Sequence, residues 1–177
     1  MSETSKPVRS FSDPSDVTLL VLDVDGVLTD GSINIDDDGR ETKRFHVRDG
    51  YAMKLWMKQG FQLAIITGRS GSALQHRMRS LGVPDEMVIQ GSRDKSQDLD
   101  TIIQRCGASI EHTACMGDDW PDLPILTRVG YPMCPHDAEP EVRAQCAFST
   151  QRKGGHAAVR EAIAHLLSMK DLYQPQS

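Results

Sequence analysis

The stretch VTLLVLDVDGVLTDG at residues 17–31, an apolar run that ends in two aspartates, constrains the fold more than any other part of the chain. Its first six residues are apolar except for Thr18. Such a run is typical of a strand in a parallel sheet, because helices cover both faces of that strand. Asp23 and Asp25 follow the strand directly. Since ligands bind at the carboxyl edge of open α/β sheets, the sequence predicts a functional site here.

Strand-like and helix-like segments alternate through the rest of the chain. Short apolar runs predict buried strands at 61–66, 87–89, 113–116 and 131–134. Helical spacing predicts helices with the apolar stripes Ala52, Leu55 and Trp56; Leu74, Met78 and Leu81; Leu99, Ile102, Ile103 and Cys106; and Val159, Ala162, Ile163, Leu166 and Leu167 within 155–168. Gly60 and Gly82 end the first two helices, and Asp94 caps the third. The alternation predicts an α/β fold with a doubly wound, Rossmann-like parallel sheet.

Residues 31–47 interrupt this alternation and predict an inserted β-hairpin. Asp38-Gly39 is a tight-turn signal, and apolar residues alternate with polar ones on both sides of it. The apolar positions are Ile33 and Ile35 before the turn and Phe45 and Val47 after it. The hairpin either lies on the surface without a special role, or it acts as a flap or as a surface for assembly. Because exposed hairpin edges tend to be covered or paired, it favours association between copies of the chain.

Length and charge narrow the class of protein. At 177 residues the chain suits one domain with a full core, and we expect a flexible lead over 1–15, a single domain over 16–170 and a tail over 171–177. The net charge of −5 argues against a nucleic-acid or anionic-membrane surface. No apolar run approaches the roughly 20 residues of a membrane span, and the polar N-terminal residues do not resemble a signal peptide.

The cysteines favour a reducing compartment. They are widely spaced, with no CxxC pair, and most have apolar neighbours in the sequence: Cys106, Cys115, Cys134 and Cys146. This pattern is typical of buried, reduced thiols in a cytosolic protein rather than of a disulfide or metal site. We therefore expect a cytoplasmic protein.

Chemically active residues concentrate where the predicted strands end. They are Asp23, Asp25, Thr67, Lys95, Asp118 and Asp119. All of these positions open on one edge of the sheet, and converging carboxylates repel each other unless a cation is present. Mg²⁺ fits, since it takes one or two carboxylates and completes its shell with water and phosphate oxygen. A phosphate bound there would need the Thr67 hydroxyl as a donor and Lys95 as a counter-charge.

Four ordered motifs carry a resemblance to a known family. Asp-x-Asp-Gly-Val from Asp23, Thr67-Gly68, Lys95 and Gly117-Asp118-Asp119-x-x-Asp122 resemble the motifs of the haloacid dehalogenase superfamily of phosphatases. The longer segments LDVDGVLTDG, FHVRDG, AIITGR and GGHAAVRE are similar to its small capless subgroup, which dephosphorylates 3-deoxy-D-manno-octulosonate 8-phosphate. The loop after Thr67 is too short for a cap domain, which agrees with this subgroup.

The resemblance implies a mechanism. Asp23 would be the nucleophile that forms an aspartyl-phosphate, and Asp25 the acid that protonates the leaving oxygen and then the base that deprotonates water. Mg²⁺ would lie between the carboxylates of Asp23 and Asp118 and the backbone carbonyl of Asp25. Thr67 and Lys95 would stabilise charge on the phosphoryl oxygens. Asp119 and Asp122 would either contact the residues that bind the metal and the phosphate or orient Lys95.

The resemblance also implies a phosphorylated sugar acid as substrate, and a homotetramer whose hairpins assemble together and whose subunits share active sites. Its substrate contacts fall on Asp25, His46, Val47, Arg48, Asp49, Gly50, Lys54, Gly68, Arg69, Arg77 and Lys95. An arginine among these would bind the sugar carboxylate bidentately. The pathway implied is lipopolysaccharide precursor synthesis. No nucleic-acid or membrane partner is expected.

Three positions depart from the family pattern. His46 replaces an asparagine, and Lys54 and His156 replace arginines, which changes how a carboxylate would be recognised. Two alternatives therefore stay open: a phosphatase of a nine-carbon ulosonic acid 9-phosphate, and a non-catalytic binding module of the same fold. Composition does not decide whether the C-terminal tail reaches a neighbouring site.

Overall fold

The strand predicted from the first apolar run forms the middle of a six-stranded parallel sheet. The computed structural model describes residues 10–173, so most of the predicted lead and the last four residues of the tail lie outside the described residues. The strands are β1 (Leu19–Leu22), β2 (Asn34–Ile35), β3 (Glu41–Thr42), β4 (Gln62–Thr67), β5 (Val88–Gln90), β6 (Thr113–Met116), β7 (Tyr131–Cys134) and β8 (Phe148–Ser149). The sheet order β5-β4-β1-β6-β7-β8 confirms the predicted doubly wound sheet, and β2 and β3 form a separate antiparallel pair.

Helices cover both faces of the sheet. They are α1 (Val47–Lys58), α2 (Ser72–Leu81), α3 (Lys95–Cys106), α4 (Leu123–Leu126), α5 (Pro140–Arg143) and α6 (Ala158–Met169). Single 3₁₀ turns lie at Pro14–Asp16, Asp85–Met87 and Trp120–Asp122. Within the described residues, no helix is both long and apolar enough to cross a bilayer. All four residues of β1 are fully buried, as expected for a strand covered on both faces.

The order of the strands determines where a ligand can bind. From β1 the chain moves to β4 and β5 on one side, and it then returns to β6 on the other side of β1. The carboxyl ends of β1 and β6 therefore border the crevice at which the winding direction reverses. Such a switch point is the usual ligand site of this architecture.

The predicted hairpin exists, but its second strand is shorter than predicted. We predicted strand alternation through Val47, whereas β3 ends at Thr42 and Val47 is the first residue of α1. His46 causes the change, because its Nδ1 accepts a hydrogen bond of 3.1 Å from the Arg48 N–H and so caps the helix. Asparagine is also a good residue for a helix N-cap.

The final helix begins later than predicted. We predicted it over 155–168, but α6 starts at Ala158. A Cβ at Gly154 would lie 1.8 Å from the carbonyl oxygen of Gly26, so the chain packs directly on the loop that follows β1. The two glycines of GGHAAVRE therefore permit a close backbone contact beside the predicted site, and the helix can begin only after that contact.

Asp49 joins α1 to α6. Its side chain is 1 % exposed, and its Oδ1 accepts a hydrogen bond of 2.7 Å from the backbone N–H of Arg160 in the first turn of α6. Burial raises the pKa of Asp49 to about 6, although hydrogen bonds from the backbone of Arg160 and Ala157 oppose the shift. The Asp49 carboxylate on α1 thus accepts a hydrogen bond from an N–H group at the start of α6.

Replacing Asp49 with alanine is expected to lower the free energy of unfolding by about 1–3 kcal/mol, since buried backbone donors lose their acceptor. Asp49→Asn keeps an acceptor oxygen and removes the charge. Because the folded pKa is raised above the usual 3.8, the contribution of Asp49 is full below pH 3.8 and is lost as the pH rises through about 6. Urea unfolding at pH 4.5 and pH 8 should therefore show Asp49→Asn gaining stability over the wild type at the higher pH. An alanine variant as stable as the wild type would contradict this role.

Candidate active site

A cavity of about 240 Å³ lies at the carboxyl ends of β1, β4 and β6. It is lined by Asp23, Asp25, Thr67, Gly68, Arg69, Lys95, Asp118, Asp119, Pro121 and Asp122. The six residues that the sequence placed at strand ends all line this one cavity. The switch point of the sheet is therefore also the place where the candidate catalytic groups meet.

Lys95 connects the two sides of the cavity. Its Nζ donates hydrogen bonds of 2.7 Å to Oδ1 of Asp23 and 2.6 Å to Oδ1 of Asp122. The side chains of Lys95, Asp23 and Asp122 are each at most 9 % exposed. Lys95 is the first residue of α3, and Asp94 caps that helix by accepting hydrogen bonds from the two N–H groups that follow Lys95. The predicted cap thus also sets the position of Lys95 at the start of α3.

Excess negative charge dominates the site. Burial and the nearby Asp122 raise the pKa of Asp23, although Lys95 opposes the shift. Burial and the charges of Asp23 and Asp122 raise the pKa of Asp118 to about 8. Burial lowers the pKa of Lys95, but the charges of Asp23 and Asp122 outweigh that effect and raise it above its usual range. One lysine does not balance these carboxylates, so the site favours an additional cation.

The carboxylate oxygens have suitable spacing for a metal ion. Asp23, Asp118 and Asp122 each offer an oxygen, and these three atoms lie within 4.8 Å of one another. Asp122 is already occupied, because Oδ1 binds Lys95 and Oδ2 accepts hydrogen bonds from the N–H groups of Asp118 (3.0 Å) and Asp119 (3.3 Å). Asp23 and Asp118 remain to bind a cation. A set of hard carboxylate oxygens fits Mg²⁺.

Gly26 brings the backbone of the β1 loop against Asp118. A Cβ at Gly26 would lie 1.9 Å from Oδ2 of Asp118, and Gly26 has a φ of +91°. A larger residue would push the carboxylate away and strain the turn. The glycine of the Asp-x-Asp-Gly motif thus allows the β1 and β6 loops to approach each other.

Asp25 lines the cavity, but for a different reason than the one we predicted. We expected an extended segment in which Asp23 and Asp25 point the same way. The chain instead turns from residue 24 onward, with hydrogen bonds from the N–H groups of residues 27, 28 and 29 to the Val24 carbonyl. Asp25 reaches the cavity from this turn, and Lys43 donates a hydrogen bond to its Oδ1. A dipeptide spacing alone could not predict that geometry.

The sequence analysis missed Lys43 and Glu41, which lie beside the cavity and contact the lining residues Asp25 and Arg69. Glu41 forms ion pairs with Lys43 and Arg69, so the base of the hairpin contacts the edge of the cavity. Ile33 and Ile35 are 56 % and 61 % exposed, whereas the Lys43 side chain is 8 % exposed. The hairpin thus directs the charged side chains of Glu41 and Lys43 inward. The period of two that places Glu41, Lys43 and Phe45 on one face was a signal for this arrangement.

The other predicted substrate contacts lie outside this cavity. They are His46, Val47, Arg48, Asp49, Gly50 and Lys54 on or next to α1, and Arg77 on α2. Arg77 packs against Gly50, where a Cβ would lie 2.3 Å from its guanidinium. His156 also lies outside, and its Nδ1 is 2.8 Å from the Gly154 carbonyl oxygen. Within one chain, only Asp25, Gly68, Arg69 and Lys95 of the predicted contact set line the cavity among the described residues.

The comparisons with known proteins agree with the fold and the motifs. Residues 86–163 match the model of a family described as haloacid dehalogenase-like hydrolase. The chain is 36 % identical over 151 residues to the 3-deoxy-D-manno-octulosonate 8-phosphate phosphatase KdsC of Escherichia coli K12. The match covers 85 % of this chain and 79 % of that protein.

Two solved structures are similar over most of their length. The phosphatase of the same description from Yersinia pestis has a TM-score of 0.88 and 34 % identity, and the match covers 90 % of this chain and 85 % of that one. The Moraxella catarrhalis phosphatase, solved with magnesium, phosphate and KDO, has a TM-score of 0.86 and 34 % identity over 90 % of both chains. These similarities extend well beyond the four short motifs.

Proposed function

The chain belongs to the haloacid dehalogenase-like hydrolases, and we propose that it is a Mg²⁺-dependent phosphomonoesterase of 3-deoxy-D-manno-octulosonate 8-phosphate. The products are the free sugar acid and phosphate. The observation that carries the proposal is the group of Asp23, Asp118 and Asp122 around Lys95 at the switch point, in a chain similar along most of its length to such phosphatases.

In this proposal Asp23 is the nucleophile. One of its oxygens is held by Lys95, and the residue lies at the base of a cavity of about 240 Å³. Its other oxygen attacks phosphorus, the phosphorus–oxygen bond to the sugar breaks, and an aspartyl-phosphate results. A water then attacks that phosphorus, which releases phosphate and restores the carboxylate.

The remaining site residues transfer protons and stabilise charge. Asp25 gives a proton to the departing sugar oxygen and later removes one from the attacking water. Thr67 and Lys95 donate hydrogen bonds to the phosphoryl oxygens, where charge spreads in the transition state. Asp23, Asp118 and the backbone carbonyl of Asp25 would hold Mg²⁺, which would supply Lewis-acid stabilisation of this charge. Asp119 and Asp122 support the loop, and Asp122 orients Lys95.

In our proposal, Arg69 and residues from a neighbouring copy in a homotetramer bind the sugar acid. The exposed apolar side chains support association, because Ile33, Ile35, Val47 and Tyr51 are 56 %, 61 %, 76 % and 62 % exposed. They lie on the hairpin and the start of α1, which also carries predicted contacts outside the cavity. We assign the enzyme to the cytoplasm and to lipopolysaccharide precursor synthesis, in keeping with the substrate.

A panel of phosphate esters tests the proposed function. Steady-state phosphate release should be measured with the eight-carbon sugar acid 8-phosphate, a nine-carbon ulosonic acid 9-phosphate, a neutral hexose phosphate and p-nitrophenyl phosphate. We expect kcat/KM to be at least about 10-fold higher for the eight-carbon substrate, because the proposed contacts with Arg69 and a neighbouring copy would recognise a carboxylate at one particular spacing from the phosphate. Preference for the nine-carbon ester would favour that alternative, and equal rates would remove the narrow assignment.

Removal of metal provides the second arm of the same experiment. EDTA should stop hydrolysis of every ester in the panel, and excess Mg²⁺ should restore it, since the carboxylates of Asp23 and Asp118 repel a dianionic phosphate without a cation. Hydrolysis that persists after complete chelation would contradict the metal assignment. If no ester is hydrolysed even with Mg²⁺, the non-catalytic alternative is supported instead.

A further inference from the structure

Four charged side chains form a closed ring where the hairpin meets the cavity. Lys43 contacts Oδ1 of Asp25 and, at 3.2 Å, Oε1 of Glu41. Arg69 contacts Oε2 of Glu41, and its Nε lies 4.0 Å from Oδ2 of Asp25. Two members come from the hairpin, one from the β1 loop and one from the β4 loop. The ring therefore connects the hairpin to two of the loops that line the cavity.

Lys43 is the most buried member of this ring. Its side chain is 8 % exposed, compared with 22 % for Asp25, 29 % for Glu41 and 43 % for Arg69. A lysine side chain loses rotamer freedom when it is fixed, and a buried ammonium needs paired carboxylates. Both of its carboxylate partners are at the edge of the cavity. This burial gives Lys43 one fixed position relative to Asp25.

The two oxygens of Asp25 have different environments. Oδ1 accepts the hydrogen bond from Lys43. Oδ2 is buried and has no hydrogen-bond partner among the described residues, since Arg69 Nε at 4.0 Å is beyond hydrogen-bond range. A buried carboxylate oxygen without a partner normally costs free energy. Because that oxygen is closed to a water-sized molecule, the hydrogen bond from Lys43 to Oδ1 is what orients the carboxyl group.

We propose that Lys43 is a positioning residue that holds Asp25 through Oδ1 and so keeps its carboxyl group at the edge of the cavity, where that group exchanges a proton with the reacting oxygen. The inference rests on the proposed function. In the first step the carboxyl group of Asp25 gives its proton to the sugar oxygen as the bond from that oxygen to phosphorus breaks and the bond from Asp23 to phosphorus forms. In the second step the carboxylate of Asp25 takes a proton from the water that attacks phosphorus, and the aspartyl-phosphate bond breaks.

Glu41 contacts the same ammonium group, since its Oε1 lies 3.2 Å from Nζ of Lys43. Without Lys43, the carboxyl group of Asp25 would be free to rotate toward Arg69, whose Nε lies 4.0 Å from Oδ2. The carboxyl group would then no longer point at the leaving oxygen. The expected loss is therefore specific to reactions in which the leaving oxygen must be protonated as it departs.

The test compares two leaving groups. A sugar phosphate releases a poor leaving group that needs the proton, whereas p-nitrophenyl phosphate releases a stable anion. Because kcat/KM covers only the steps through the first irreversible bond cleavage, it reports formation of the aspartyl-phosphate. For Lys43→Ala we expect kcat/KM to fall about 10²-fold with the sugar phosphate and less than about 5-fold with p-nitrophenyl phosphate. Lys43→Arg, which keeps a charged donor, should recover most of the loss.

Arg44→Ala is the matched control. Arg44 is the next residue along the hairpin, is 74 % exposed, and pairs with Asp30 rather than with a ring member. It should keep the wild-type ratio of the two kcat/KM values. Circular dichroism and melting temperature establish folding, and Lys43→Gln replaces Lys43→Ala if the alanine variant does not fold.

The outcomes separate the two proposals. An equal fall with both esters, or no fall with either, would overturn the positioning role while the wild-type enzyme still hydrolyses sugar phosphate. Failure of the wild type to hydrolyse any ester would overturn the proposed function itself. A selective loss with the sugar phosphate, together with recovery in Lys43→Arg, supports the proposal.

Discussion

Replacing Asp23 with asparagine is expected to lower phosphate release by at least about 10³-fold while the protein stays folded. An amide oxygen does not form the phosphoryl bond, so the two-step route is lost. The hydrogen bond from Lys95 can persist, because asparagine keeps an acceptor oxygen. Since burial and Asp122 already disfavour the charged form of Asp23, the neutral amide should not lower the stability of the metal-free protein.

The measurement combines initial rates, with Mg²⁺ in excess, and urea unfolding of the metal-free protein. Asp85→Asn is the matched control, because Asp85 is 57 % exposed and pairs with Arg79 far from the cavity residues. Its rate should equal that of the wild type. If Asp23→Asn retains more than a few per cent of wild-type turnover, another residue must be the nucleophile.

Replacing Lys95 with methionine is expected to affect both turnover and stability. Lys95 is the cation that contacts both Asp23 and Asp122, so its loss leaves paired carboxylates buried without their counter-charge. Breaking a buried ion pair on one side typically costs about 3–5 kcal/mol. Turnover should fall at least about 10²-fold, since the phosphoryl oxygens lose a charged donor.

Mg²⁺ distinguishes this electrostatic explanation from simple loss of packing. The destabilisation should be largest in EDTA and should shrink when Mg²⁺ is added, because a divalent cation neutralises the same carboxylates. Lys58→Met provides the control, since Lys58 is exposed in the last turn of α1. A destabilisation that is equal with and without Mg²⁺ would show that the lysine acts through packing alone.

The sheet could be predicted from the sequence because its strands are buried on both faces. The continuous apolar runs of β1, β4 and β6 have no polar alternation, and this pattern occurs almost only under helices. The short elements α4, α5 and β8 could not be predicted in the same way. They have only two to four residues, which is less than the length that a periodicity needs.

The hairpin shows where pattern reasoning fails for a physical reason. Ile33 and Ile35 alternate as a half-buried strand would, yet they face outward in the described chain. Lys43 is buried instead, because Asp25 and Glu41 compensate its charge. Hydrophobicity alone cannot predict this inversion, since the partner Asp25 is 18 residues away in the sequence.

The cavity itself was partly predictable. Motif spacing predicted that Asp23, Thr67, Lys95 and Asp118 follow strands of one sheet, and all four line the cavity. The turn that carries Asp25 and the double contact of Lys95 depend on tertiary packing. The order of the motifs in the sequence does not predict these two features.

The hydrogen bond between Lys95 and Asp23 spans 72 positions of the chain. Closing so long a loop costs conformational entropy that only a nearly complete sheet can offset, so this contact has a high contact order. Local segments cannot bring these two residues together, because β4 and β5 lie between them in sequence and must already be docked in the sheet, β4 beside β1 and β5 beside β4. Recovery of turnover during refolding should consequently report the final cooperative assembly of the domain, later than any signal from isolated helices.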